Sequence, residues 1–245
     1  MKLPLYLACL LTLTACHGQQ PADSTTCPAY SASVYKATLR RFAQRRTRLA
    51  ARYSKVRTPS ARAVCLGEAR KLFLTSLDST IFPAWEGTPW EFYGQSWEPH
   101  QGSIACGYFV TTALHDTGLR LQRTLLAKQT SERIILNLTT EPYIHRYHGL
   151  SQDEFVRQVT ALGPGLYVLG LDFHAAFLRV HEGGSVQMVH SSYVGPGTVV
   201  REAAYSSEAL ESKYRVVGKV SADNVFLRHW LLGQALAVHG ATVKE

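Results

Sequence analysis

Apolar residues recur along this chain in two rhythms. Residues 30–53 contain no Pro or Gly, and Val34, Leu39, Phe42, Leu49 and Tyr53 form a loose apolar set at helical spacing. A second helix is expected over residues 61–77, with Val64, Leu72, Phe73 and Leu77 inward. Residues 106–116 read as a third, ended by Gly118. Ser151-Gln152-Asp153-Glu154 is a capping box that opens a fourth helix to about Leu162, where Gly163-Pro164-Gly165 stops it.

Downstream the rhythm shortens. Residues 166–171, 174–181 and 186–191 are strand-like, and Gly183-Gly184 turns the last two into a hairpin. A fourth strand is expected over 213–220, after which Ser221 caps a final helix toward His239. Helices followed by a meander of antiparallel strands give an α+β pattern. Residues 82–103 follow neither rhythm. Pro83, Gly87, Pro89, Gly94 and Pro99 break any element there, while Trp85, Trp90, Phe92, Tyr93 and Trp97 crowd together. Such a segment is either a packed loop closing one end of a core or one wall of a binding groove.

The first 15 residues form a separate unit. One positive charge, Lys2, precedes an apolar run too short to span a bilayer as a helix. It ends in Leu13-Thr14-Ala15-Cys16, which resembles the lipobox of bacterial lipoproteins. That resemblance implies cleavage before Cys16, acylation of its thiol and new amino group, and a tethered domain in the cell envelope. His17, in place of an Asp, favours the outer membrane over the inner. The chain then divides into a signal peptide (1–15), a lipidated N-terminus with a helical region (16–80), and a second domain (81–245).

The 245 residues, 46% of them hydrophobic and 18% charged, suffice for one sizeable core and exclude a disordered chain. The charge is uneven. No acidic residue stands between Asp23 and Glu68, while ten Lys and Arg lie there, Arg40, Arg45, Arg48 and Arg52 among them, against a net charge of +8 for the whole chain. Contact with anionic lipid or an anionic wall polymer, or simply a solvated face, accounts for that segment. No aromatic-interleaved motif accompanies the arginines, which argues against nucleic acid.

Five cysteines with no CxxC pair exclude a thiolate zinc ribbon and a disulfide scaffold. Removal of the signal peptide takes Cys9, and lipid takes Cys16. Cys27 with Cys65 is the candidate disulfide in an oxidising compartment, which leaves Cys106 as a thiol. His145 and His148 are spaced like metal ligands on a helix turn, yet Pro142 and Gly149 leave little room for that helix and no HExxH is present; no metal or other cofactor is expected.

Cys106 stands where the irregular segment enters a helix. Unpaired N–H groups at a helix start stabilise a thiolate and can stabilise an oxyanion on an attacked carbonyl. A cysteine nucleophile needs a base, and His174, at the head of a strand, is the candidate. His190 on the next strand would orient that imidazole, provided the hairpin register sums to an even number, with 174 opposite 190 or 192. Asp172 is a weaker orienting candidate. His190 could equally be a core residue bonded to Ser191 or Ser192, and Cys106 a small buried hydrophobe.

A cysteine at a helix start, a histidine at the head of a strand and a polar residue on the neighbouring strand, in that order, resemble the papain-like cysteine hydrolases, most closely the NlpC/P60 branch. The resemblance covers residues 89–220. It implies a papain-like α+β domain, a Cys106–His174–His190 triad and a peptidoglycan stem peptide as substrate. The surroundings depart from the branch's Asp-Cys-Ser-Gly signature, being Ala105-Cys106-Gly107-Tyr108. Tyr93, Gln95 and Gln101 are the oxyanion candidates. Amide hydrolysis, acyl transfer on the same triad and a catalytically inactive binding lipoprotein all fit these residues.

Overall fold

The computed structural model describes residues 30–239. The signal peptide, the lipidation candidate Cys16 and Cys27 of the expected disulfide lie outside them; Cys65 is buried within a helix.

Helices come first, as expected. α1 (Ala32–Lys55) starts at Ser31, whose hydroxyl accepts from the Val34 N–H, and α2 (Pro59–Ser76) starts at Thr58, with proline tolerated at its first position. A π turn, Leu77–Ile81, carries α2 into the short α3 (Phe82–Trp85). Leu72, Phe73 and Leu77 are buried as expected, but Val34 and Val64 are exposed, and of α1 only Tyr35 and Leu49 are fully covered. The structure therefore corrects the inward set of both helices. Phe73 meets Phe226 and Trp230 edge-on at 5.5 and 5.4 Å, so the N-terminal helices share one core with the C-terminal end of the chain.

Several basic residues of α1 are engaged. Arg46 donates to the carbonyls of Gly118 and Trp230, Lys36 pairs with Glu98 at 2.6 Å, and Arg52 pairs with Glu68. Arg45, Arg48, Arg52 and Lys71 face a cleft of about 400 Å³ between α1 and α2.

α4 (Cys106–Asp116) has the expected bounds and ends before Gly118, whose φ of 92° no other residue type adopts easily. α5 (Arg123–Ala127), α6 (Ser131–Leu138) and β1 (Ile144–His148) follow, none of them anticipated. α7 (Gln152–Ala161) opens on the Ser151 cap as expected. β2 (Gly165–Leu171), β3 (Ala175–Val180), β4 (Val186–Ser191), β5 (Val199–Ala203) and β6 (Tyr214–Gly218) complete one antiparallel sheet in the order β1-β6-β2-β3-β4-β5. The fold is α+β.

α8 (Asn224–Leu232) corrects a further expectation. Its cap is Asp223, which accepts from the Val225 and Phe226 N–H groups, and Gly233, at φ 64°, stops it well before His239. The Ser221 hydroxyl accepts instead from the Leu166 N–H at 2.9 Å. Both faces of the sheet are covered. Val168, Phe177, Val189 and Val216 join the core that contains α4 and α6, while Tyr167, Leu169, Leu178 and Met188 meet Phe155, Val156 and Val159 of α7. Every residue of β2 is therefore buried, which is why its sequence runs apolar without alternation. Among the described residues no helix is long and apolar enough to cross a membrane.

Candidate active site

Two glycines let the backbone set Cys106 in place. A Cβ at Gly107 would lie 2.5 Å from the Ala127 carbonyl oxygen, so glycine is what allows α5 to close on the first turn of α4. A Cβ at Gly94 would lie 2.6 Å from the backbone of Ser103 and Ile104, where the irregular segment runs alongside the approach to Cys106. There Ala105 N–H donates to the Gly94 carbonyl at 2.9 Å and Ile104 N–H to the Pro89 carbonyl at 2.9 Å. Arg123 fixes the same segment from beneath. Its guanidinium lies between the rings of Trp97 and Tyr108, at 3.9 and 4.7 Å, and donates to the carbonyls of Gln95 and Ser96. Ser191 at the end of β4 donates to the Ile104 carbonyl at 2.6 Å, which ties the sheet to the residues just before the cysteine.

No side chain caps α4 at Ala105, so its first-turn N–H groups are free for other partners. Those of Cys106 and Gly107, with that of Ala175 at the head of β3, lie near enough to the Cys106 sulfur to favour its thiolate. The expectation of a depressed thiol pKa is nevertheless corrected. Burial raises it above the ordinary cysteine value, and the three N–H groups only oppose that rise. Burial therefore favours the neutral thiol over the thiolate.

The hairpin register satisfies the geometric condition set by the sequence. Phe177 pairs with Val189 and Leu178 with Met188, which places position 174 opposite 192 and puts His174 and His190 on one face. His174 Nε2 lies 2.9 Å from His190 Nδ1, both rings are buried, and the planes meet at 82°. His190 is not bonded to Ser191 or Ser192. Its other nitrogen, Nε2, lies 3.0 Å from Glu202 Oε1 on β5.

Glu202 was not anticipated, and it decides the protonation of the chain. The hydrogen bond to His190 holds its carboxyl below the usual carboxylate range despite partial burial. An ionised carboxylate only accepts, so His190 donates to it through Nε2, and in the neutral tautomer Nδ1 presents a lone pair. His174 must then donate through Nε2, which leaves Nδ1 as a bare lone pair. That Nδ1 has no hydrogen-bond partner among the described residues, although the residue is only 3% exposed. Burial, followed by the neighbouring His190, pushes the His174 pKa down to about 3, so the imidazole is neutral and able to accept a proton. The signal for Glu202 lay in the run Val199-Val200-Arg201-Glu202, whose charges masked a strand.

Cys106 and His174 line one cavity of about 630 Å³ together with Tyr93 and Gln95. Tyr108, two residues after the cysteine, lines it as well, and its buried hydroxyl has no partner among the described residues. The third oxyanion candidate is corrected: Gln101 does not line this cavity and donates to Glu98 at 3.1 Å on the outer side of the loop. Asp172 is likewise elsewhere. It accepts from the Ser212 hydroxyl and the Lys213 N–H, which hold it below the usual carboxylate range, and it fixes the turn before β3 to the start of β6. His145 and His148 lie on β1, three positions apart and so on opposite faces, and no group of three metal-ligating side chains occurs among the described residues.

Comparison of the chain with protein-family models, curated proteins and solved structures found no match.

Proposed function

We propose that the protein is a cysteine hydrolase of papain-like type, in which Cys106 attacks a carbonyl carbon and His174 moves the proton. The observation that carries this reading is the chain Glu202–His190–His174, in which His174 Nδ1 has no partner among the described residues and His174 lines the same cavity as Cys106. His174 takes the S–H proton as the Cys106 Sγ–carbon bond forms. The negative charge on the carbonyl oxygen is met by the free N–H groups at the α4 start, with Gln95, Tyr93 and the Tyr108 hydroxyl as side-chain donors. As the carbon–nitrogen bond breaks, the departing amine takes that proton from His174 and a thioester remains on Cys106. Water then attacks the thioester, gives its proton to His174, and the acid leaves as the thiol is restored. No cofactor takes part in this scheme. His190 and Glu202 touch no substrate; they hold the His174 tautomer and bear the charge that develops on it.

The proposed setting is the bacterial cell envelope, with Cys16 as lipid anchor, the outer membrane as the preferred site and an amide bond of a cell-wall peptide as the scissile bond. The wild-type protein and Cys106→Ala are to be compared for release of new amino groups from purified peptidoglycan. Release by the wild type alone supports the reading, and equal release or equal inertness with an unreactive thiol opposes it.

A second reading, a binding lipoprotein on the same fold, is favoured by one observation. Burial favours the neutral form of both the thiol and His174, so no ion pair stands ready. Such a protein would retain its ligand affinity after alkylation of Cys106.

A further inference from the structure

The wall of the Cys106 cavity speaks to the acyl group more narrowly than the triad does. Trp90, Phe92, Tyr93, Phe173 and Tyr193 surround the thiol and His174, and Lys128 is the one charged side chain among the lining residues that has no part in the triad. Lys128 itself is exposed, and no carboxylate among the described residues lines the cavity. Phe173 is 96% exposed, Tyr93 83% and Phe92 71%, so the aromatic wall continues outward from the mouth and is not covered by the rest of the described chain. Trp90 and Tyr193 pack at 6.2 Å, and the Tyr193 ring stands edge-on to His174 at 5.2 Å, which brings that wall up to the base itself.

Resting on the cysteine-hydrolase reading, we propose that the acyl group loaded onto Cys106 is a fatty acyl chain of eight or more carbons, held against the aromatic wall. A cell-wall stem peptide brings ammonium and carboxylate groups that each need a partner when they leave water. Among the described residues the cavity offers Lys128 for a carboxylate, only neutral groups such as Gln95 and the tyrosine hydroxyls beyond it, and no carboxylate for an ammonium. An alkyl chain needs no partner and gains free energy with every methylene removed from water. At about 630 Å³ the cavity is of ligand size, and its aromatic lining includes the residues next to Cys106 and His174, Tyr108 and Phe173 among them.

The test uses the full-length protein and two series of acyl compounds with two, four, eight and twelve carbons: p-nitrophenyl esters and the matching p-nitroanilides. The first reports ester cleavage and the second amide cleavage of the same acyl group. Dipeptide and tetrapeptide stem fragments are assayed alongside. The inference expects kcat/KM to rise roughly fourfold per methylene from two to eight carbons in at least one series. It expects the adduct mass of the longer acyl group on Cys106, and a smaller eight-to-two-carbon ratio in Phe92→Ser, a change at an exposed side chain that leaves the fold alone. A flat chain-length dependence with Cys106 still acylated by the acetyl ester overturns the acyl-chain inference and leaves the cysteine-hydrolase reading standing. Faster cleavage of the stem fragments than of any acyl compound overturns it in favour of a wall peptide. No adduct on Cys106 from any compound overturns both.

Discussion

At the scale of single residues, the site depends on which proton sits on which nitrogen. Glu202 fixes His190, and His190 fixes His174. Glu202→Gln keeps the size but offers an amide that can present its NH₂ to His190 and so invert the relay. The expected outcome is a fall in kcat of tenfold or more, with KM changed little and the pH–rate profile displaced; Glu202→Asp is expected to recover part of the loss. A change in thermal stability alone, with kcat intact, would mean that Glu202 is only a strand residue. The thiol gives a second expectation. Because burial raises the Cys106 pKa, iodoacetamide reactivity of the resting protein should climb only above the ordinary cysteine range near 8.5. A midpoint well below that value would show that the N–H groups outweigh burial.

At the scale of elements, α4 and its approach hold the nucleophile. Gly107→Ala forces a Cβ into the Ala127 carbonyl, so α5 must move off the first turn of α4. A loss of about 1–3 kcal/mol is expected, seen as a lower denaturation midpoint with activity falling alongside. A variant as stable and active as the wild type would mean that α5 yields freely there. Much of this level was legible in the sequence. The α4 bounds followed from Gly118, the α7 start from its capping box, and the β3–β4 pairing from Gly183-Gly184. The two hidden strands share a physical cause. β1 and β5 are the two edges of the sheet, where charged and polar residues such as Arg146, His148, Arg201 and Glu202 are tolerated and mask the apolar alternation that marks a strand. α5 is five residues long, too short to show a helical period. The same masking hid Glu202, and Gln101 misled because spacing along a loop does not say which side of the loop a residue occupies.

At the scale of the whole molecule, the buried histidine links the site to stability. The folded His174 pKa, about 3, lies far below the unfolded value near 6.5, so between those values the unfolded chain binds more protons than the native one. Stability contributed by keeping this ring neutral is complete above pH 6.5 and is lost as pH falls below it. Urea midpoints of the wild type should therefore drop between pH 7 and pH 5, and His174→Asn should show a shallower drop. Parallel curves would place the acid sensitivity in other groups.

Whether Cys106 carries an acyl group through this machinery is decided most directly by intact-mass spectrometry of the full-length protein during reaction with an activated acyl ester, followed by peptide mapping. A single acyl adduct on Cys106 that forms and then discharges, forms slowly in His174→Ala and is absent in Cys106→Ala is the predicted result. An adduct on another residue, or none in the wild type, would contradict the account.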